Sequence, residues 1–297
     1  MRRPPGLTLM SKNDRLGWMF VLPALLLLTV VLVFPIVYAI RMSFFNVSLD
    51  FTQTFVGIRN FSDAFKDPYF VNSIEVTFIY TFSSVLISLI LGMIVALILN
   101  TNWIKGKHIL NLIFLIPWTI SFVVTGAAWK WILNAQYGVF NVILHQMGLI
   151  TANISFFGSL DLALPAVIFV NVWRNMPFAV VMISAGLLSI PEDQVEAALV
   201  DGASPLQIFQ YVKLPNLRNV LSVTTVLLTI WIFVQFDLTK VLTDGGGPGH
   251  ATELLSNLIY RVSFNYYQFG YGSAIAVLML IIVLILTVFY MRVIDRE

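Results

Sequence analysis

Two groups of residues in this chain are placed to do chemistry, and neither is a set for breaking bonds. The first is Glu196-Ala197-Ala198, then Asp201-Gly202-Ala203 and, past a spacer that holds Phe209, Leu214-Pro215. Carboxylates at 196 and 201 can accept arginines from a partner or cap loose backbone amides. Leu199, Ile208, Phe209 and Val212 give the same stretch apolar points able to enter a groove. The second group is Arg174 with Asn171, Trp173 and Asn175, inside an otherwise apolar run that also carries Pro177. A charge in hydrocarbon is expensive, so Arg174 must face protein or a wet cavity. It reads either as a residue of a translocation path or as a buried structural partner that fixes helix packing. Trp231, Gln235 and Asp237, at the end of a later apolar run, make a polar-plus-aromatic set. Such a set suits a sugar, which offers hydroxyls at its edge and C–H groups on its faces.

Other chemistries are excluded or unsupported. There is no cysteine, hence no disulfide, thiolate nucleophile or cysteine-held metal. His108, His145 and His250 are far apart, with no metal-ligand spacing, and read as interfacial or loop residues. Gly245-Gly246-Gly247-Pro248-Gly249-His250 is rich in glycine but lacks the lysine and the strand-to-helix setting of a phosphate cradle. Neither a nucleophile elbow nor a zinc-protease signature occurs. The chain is expected to be non-catalytic, with no metal and no cofactor of its own.

The elements that must position these residues are membrane helices. Of 297 residues, 59% are hydrophobic and 11% charged, against about 25% charged in soluble domains. A helix crosses the hydrocarbon in about 20 apolar residues, and six runs are long enough. They are about Leu16–Ile40, Ser73–Leu99, Ile109–Ile132 (with Pro117), Leu162–Leu188 (interrupted by Arg174), Val220–Phe236 and Gly272–Met291. The runs are apolar on every side and too long for the alternating strands of a membrane barrel, which run about ten residues. The expected fold is thus an all-α integral membrane protein of six transmembrane helices, with a tail at 1–15 and one membrane domain at 16–297. The first run is longer than a signal-peptide core and no small-residue cleavage site follows it, so it is expected to stay in the membrane.

An even number of spans puts both termini on one side. With both inside, the cytoplasmic segments carry Arg2, Arg3, Lys12, Arg15, Lys105, Lys107, Lys213, Arg218, Arg292 and Arg296. The outer segments carry Arg41, Arg59, Lys66, Lys130, Lys240 and Arg261. The inner excess favours this orientation and puts the Glu196 stretch in the cytoplasm, between spans four and five. The outer segments 41–72, 133–161 and 238–271 exceed tight turns, and the last carries strong turn signals at Asp244–Gly249. Trp18, Trp103, Trp118, Trp129, Trp131, Tyr266, Tyr267 and Tyr290 lie near span ends and read as interfacial belts.

The Glu196 stretch has a local grammar. Pro191 with Glu192-Asp193 starts a helix, since proline presets φ and acids suit the positive end of the dipole. Gly202 can stop that helix in the left-handed region. Ser204-Pro205-Leu206-Gln207 restarts it as a capping box, and Leu214-Pro215 is expected to end the second helix near Val212 and turn the chain toward span five. The product is two short helices folded over a glycine corner. They either cover the bundle's inner end or dock on a partner.

This pattern resembles the EAA loop of permease subunits of binding-protein-dependent ABC importers: Glu196-Ala197-Ala198, Gly202 flanked by Asp201 and Ala203, and Val212-Lys213-Leu214-Pro215. Phe55-Val56-Gly57-Ile58-Arg59-Asn60-Phe61, Trp173-Arg174-Asn175-Met176-Pro177-Phe178 before Ala185-Gly186-Leu187, and Thr243–Pro248 with Thr252 are similar to segments of the carbohydrate-uptake subfamily, the maltose, multiple-sugar and glycerol-3-phosphate type. The resemblance covers most of the chain, without the extra N-terminal spans and large outer domain of the longest maltose-type subunits. It implies the type I importer permease fold, with loop 189–218 as a coupling element. In that family the loop lies in a cleft of a separate ATPase, and the resemblance implies that Glu196 faces an arginine there and that Gly202 permits the bend. It further implies a second permease subunit, most simply a paralogue, two ATPases that hold ATP and Mg, and an extracytoplasmic binding protein. The setting is a prokaryotic plasma membrane, with no nucleic-acid partner. The rival reading is an ion-coupled secondary transporter working without an ATPase. It requires intramembrane carboxylates, whereas Glu75 and Asp237 sit near span ends.

Overall fold

The computed structural model describes residues 12–47, 52–101 and 106–295. The expected tail at 1–15 lies outside that range as far as residue 11, and so do Arg2, Arg3, Lys105, Arg296 and Trp103. Span one is α1 (Lys12–Leu28) and α2 (Phe34–Met42), joined by a π turn at Thr29–Val33. From Gly17 to Ile40 its side chains are almost wholly exposed, Phe20 to 82%. In water that surface would be untenable; against lipid it is the expected finish for a spanning helix. A small antiparallel hairpin follows, β1 (Phe45–Val47) on β2 (Gln53–Phe55), with Phe45 opposite Phe55. Apart from it the regular structure of the described residues is helical, as expected.

After α3 (Arg59–Lys66), span two is α4 (Pro68–Leu99), started by Asp67, whose carboxylate accepts the Tyr69 amide. Span three departs from the reading of one helix over Ile109–Ile132. It is broken into α5 (Lys107–Thr119) and α6 (Phe122–Ile132), which meet at 95°. Pro117 weakens the end of α5, Ile120 and Ser121 are extended, and the Ser121 hydroxyl accepts the Val124 amide to start α6 afresh. Among the described residues five helices are long and apolar enough to cross a membrane, or six crossings if the bent pair counts as one. α7 (Val139–Gln146) precedes span four, α8 (Leu160–Leu188).

The core is the contact between α4 and α8. Small residues let the backbones close up, as membrane helices without a hydrophobic drive require. A Cβ on Gly92 would stand 2.7 Å from Cβ of Ala179, and one on Gly186 2.7 Å from Leu217. Ser73, Thr77, Thr81, Ser84 and Ser88 of α4 are fully buried.

Beyond α8 come α9 (Glu192–Val200) and α10 (Pro205–Ile208), a π turn at Phe209–Lys213, and span five, α11 (Leu214–Phe233). The segment expected as an outer loop, 238–271, is largely helical and packed: α12 (Asp237–Thr243), a glycine turn, and α13 (Leu255–Tyr260). Leu238, Leu242, Leu254, Leu255 and Leu258 are at most 1% exposed, so this hairpin is a part of the core. Span six is α14 (Phe269–Asp295).

Candidate functional site

The stretch 189–218 folds from its own residues. α9 ends as the sequence requires: Asp201 is its C-cap and Gly202 takes φ +79°, which frees two amides to close the helix. Gly202 N–H donates to Leu199 O at 3.0 Å and Ala203 N–H to Ala198 O at 2.9 Å, the paired bonds of a glycine stop. The capping box forms, with Ser204 N–H donating to Gln207 Oε1 at 2.8 Å and Gln207 N–H to Ser204 Oγ at 3.4 Å. Asn216 ties the two arms together, donating to Gln194 Oε1 at 2.9 Å and to Val212 O at 2.8 Å.

Two expectations are corrected here. Pro215 does not end a helix or turn the chain. Residues Pro205–Phe233 run as one rod, because the π turn widens the backbone just ahead of the proline, with Leu214 N–H bonding Phe209 O. A widened turn absorbs the missing donor that would otherwise kink a regular helix. Pro191 is the N-cap of α9 rather than its first helical residue. Ile208 is 6% exposed and anchors the arm inward. The points turned outward are Leu199, Val200 (87% exposed), Leu206 and Tyr211. Of these the sequence reading named only Leu199. Glu196, Ala197, Asp201, Leu214 and Pro215 are exposed, and Ala198, Ala203 and Phe209 half-buried.

The second group converges at the middle of α8. Arg174 is the central residue of α8 and only 9% exposed. Its Nε donates to Ile120 O, in the break of span three, at 3.1 Å, and its guanidinium lies 3.5 Å over the Phe122 ring. Nη1 approaches Asn175 Oδ1 at 3.4 Å, and Asn175 Nδ2 donates to Asn171 O and Oδ1 at 3.0 and 2.8 Å. Gln235 joins from another direction: its Oε1 accepts the buried Tyr80 hydroxyl at 3.1 Å. Asn171 Nδ2 and Gln235 Nε2 are buried with no partner among the described residues. In hydrocarbon such donors call for water or a hydroxylated solute.

Rings line the same region. Trp118 stacks on Phe178 at 5.5 Å, and Trp231, 41% exposed, meets the other edge of Phe178 at 5.0 Å. Trp129 packs on Phe169 and on Trp173 at 5.2 and 5.4 Å. Trp118 and Trp129, read as belt residues, are half-buried and pack on rings of α8. Gln235 and Asp237 are not on span five, which stops at Phe233. Gln235 lies in the link to α12, and Asp237 is an exposed first residue of α12, apart from the cluster.

Residues 76–297 match the family described as "Binding-protein-dependent transport system inner membrane component". The chain belongs to that family. The permease is 39% identical over 289 residues, 95% of its own length and 94% of the relative's, to the trehalose/maltose transport system permease protein of Thermococcus litoralis. It is 32% identical over 281 residues, 94% of this chain and 95% of the relative, to the multiple sugar-binding transport system permease protein of Streptococcus mutans. Its fold matches a subunit of a bacterial alginate ABC transporter solved in complex with an alginate pentasaccharide-bound periplasmic protein. That match has a TM-score of 0.80 at 22% identity, over 94% of this chain and 93% of that one. The protein is thus a multi-pass membrane permease with the type I importer fold.

Sequence reasoning missed three parts of this permease's midplane: Tyr80, Phe122 and the Ile120 carbonyl. None carries a signal of its own, since each matters through a partner far along the chain. His250, read as an interfacial or loop residue, lies in the turn Pro248–His250 and makes contacts that the sequence does not show. His250 Nδ1 lies 2.8 Å from Glu253 Oε2, its ring meets Tyr69 at 4.7 Å, and its carbonyl accepts Asn72 Nδ2. Glu253, 1% exposed, also receives Arg261 through Nε at 2.6 Å and Nη2 at 2.9 Å. Burial works against the Arg261 charge. The bonds to Glu253 and Tyr266 outweigh it and hold the guanidinium above its usual range.

Proposed function

We propose that this permease lines one half of the path by which an ATP-driven importer carries a sugar, an oligosaccharide or a related polyol compound across a prokaryotic plasma membrane. The observation that carries the reading is the built knuckle at 191–208. It is rigid by its own bonds, yet no residue of α9 is buried. A stiff element with an apolar, acid-flanked surface that none of the described residues covers is suited to seat in a partner.

In this reading the loop 189–218 couples the permease to a separate ATPase. Leu199, Val200 and Leu206 enter its cleft, Glu196 and Asp201 meet its arginines, and Gly202 keeps the bend. The continuous rod Pro205–Phe233 then carries a push at the loop directly toward Trp231 and Gln235. A second permease subunit, most simply a paralogue, completes the path. Two ATPases supply ATP and Mg, an extracytoplasmic binding protein supplies the solute, and this chain catalyses nothing itself. Both termini and the loop lie in the cytoplasm. Solute hydroxyls are offered the unpaired amides of Asn171 and Gln235, and its C–H faces the exposed ring of Trp231. The sugar class follows the relatives' transport systems.

The test is reconstitution in liposomes with trehalose, maltose and a short alginate oligomer as probes. Uptake should require the ATPases, ATP and the binding protein together. Glu196→Lys should leave ATP hydrolysis running while uptake falls by about tenfold or more, the scale of one lost charge-assisted contact. Uptake by this chain alone, driven by an ion gradient, would overturn the reading.

A further inference from the structure

The midplane geometry gives Arg174 a task distinct from touching solute: we propose that it is a positioning residue that latches the break in span three and sets the angle at which α6 leaves α5. The proposal rests on the reading of this permease as half of a moving path.

The break needs such a part. A helix end leaves carbonyls without partners, and in hydrocarbon no water serves them. Thr119 Oγ answers Ile116 O at 2.8 Å, and Arg174 Nε answers Ile120 O. The carbonyl end of α5 is the negative end of its dipole, which favours a cation there. One side chain holds both sides of the break: its Nε grips the last residue before the α6 cap, and its face covers Phe122, the first residue of α6. Only a planar fork can do both at once. Asn175, braced on Asn171, steadies the guanidinium from behind. One turn along the same face of α8, Phe178 holds Trp118 in the last turn of α5. The Nε of Arg174 and its ring-covering face are both engaged in the break, and only 9% of the residue is exposed.

The latch has somewhere to send motion. Beyond the break α6 packs on α12: a Cβ on Gly126 would stand 2.9 Å from Val241, and Lys130 Nζ donates to Val241 O at 2.9 Å. α12 leads straight into the glycine turn. A change of angle at residues 120–121 must therefore shift that turn relative to α8. Holding the angle fixed until the coupling loop pushes would keep the path from opening spontaneously.

The test uses the absence of cysteine in the chain. Leu112→Cys on α5 and Trp131→Cys on α6, both exposed, take spin labels in the assembled complex in nanodiscs. In the otherwise unaltered chain the distance distribution should be narrow. With Arg174→Gln it should widen by about twofold or more, as for a hinge released. ATP hydrolysis should then run without the binding protein, and Arg174→Lys should lie between. If Arg174→Gln keeps the narrow distribution, the latch is wrong, whatever happens to uptake. If that variant does not assemble, Phe122→Leu is read the same way, and an unchanged distribution there overturns the proposal too. Should the unaltered complex show no binding-protein-stimulated ATP hydrolysis, the importer reading falls, while the distance comparison still judges the latch.

Discussion

The knuckle at 191–208 and the midplane around Arg174 are built by opposite means. The knuckle closes with bonds that span a few residues, from the glycine stop to the capping box, and turns nearly everything else outward. The midplane gathers α4, the two halves of span three, α8 and the link after α11, with contacts such as Tyr80 to Gln235, 155 residues apart. Its polar members, Tyr80, Asn171, Arg174, Asn175 and Gln235, are turned inward. The difference suits the two tasks. An element that transmits force must keep its shape whatever the bundle does. A region that opens and closes must owe its shape to the bundle, so that moving one helix unmakes it.

The sharpest way to break that comparison is Gly202→Pro. The left-handed φ of +79° is closed to proline, which also removes the N–H that bonds Leu199 O. The stop should fail locally, at a cost of about 3 kcal/mol. Because the knuckle is self-contained, the bundle should still fold and insert. The expected result is uptake lost almost entirely, with ATP hydrolysis retained and the detergent melting temperature nearly unchanged. A large drop in melting temperature would show the knuckle to be a structural lid and not an independent part.

Gly92→Val asks the converse of the midplane. Its Cβ would meet Ala179 Cβ at 2.7 Å and main-chain atoms of Ala179 and Val180 at 3.3 Å. Backbone atoms cannot step aside as a flexible side chain can. α4 must move off α8, at a cost of about 1–3 kcal/mol. Here the melting temperature and the yield of assembled complex should fall together with uptake, since Tyr80 rides on the displaced helix. Gly92→Ala should do the same less severely. Uptake lost at an unchanged melting temperature would contradict the bundle-built reading.

The same contrast explains how much of the molecule was legible in the sequence. The knuckle's stop, restart and acids are local, so Gly202, Ser204 and Gln207 announce themselves. The spans announce themselves by length. What failed to show is whatever depends on distant partners. The 95° break needs Arg174 to receive its carbonyl, and Pro117 alone only hints at it. The packing of 238–271 is hidden because short buried helices among glycines look like a loop. The continuity of Pro205–Phe233 is hidden because a π turn ahead of Pro215 has no composition of its own. Arg174 could be flagged as costly from sequence, but its two partners, a carbonyl and a ring on another span, could not be named.

Tyr80→Phe probes the midplane more gently. It keeps the ring that fills the core and removes only the donor to Gln235 Oε1. Gln235 would then be left with both side-chain ends unpaired, at a cost of about 1–3 kcal/mol. The proposed site offers Gln235 to a solute, so the expected signature is a several-fold change in the apparent affinity for uptake, beside a modest drop in melting temperature. A stability loss with affinity untouched would place Gln235 among the packing residues and shift the solute contact toward Trp231 alone.

The smallest effect belongs to Ser204→Ala. It removes the hydroxyl that accepts Gln207 N–H at 3.4 Å while the reciprocal bond, Ser204 N–H to Gln207 Oε1 at 2.8 Å, can survive. Loss of an N-cap costs about 1 kcal/mol, and with half the box intact the price should be lower still. Asn216, which braces the arms independently at 2.8–2.9 Å, limits the damage further. Uptake should drop no more than about twofold to fivefold, the factor such an energy carries. Coupled with Asn216→Ala, the loss should exceed the sum of the two, since neither brace would remain to hold the corner. Strict additivity would mean that Gly202 alone fixes the corner, and that the stiffness of the knuckle resides in one residue.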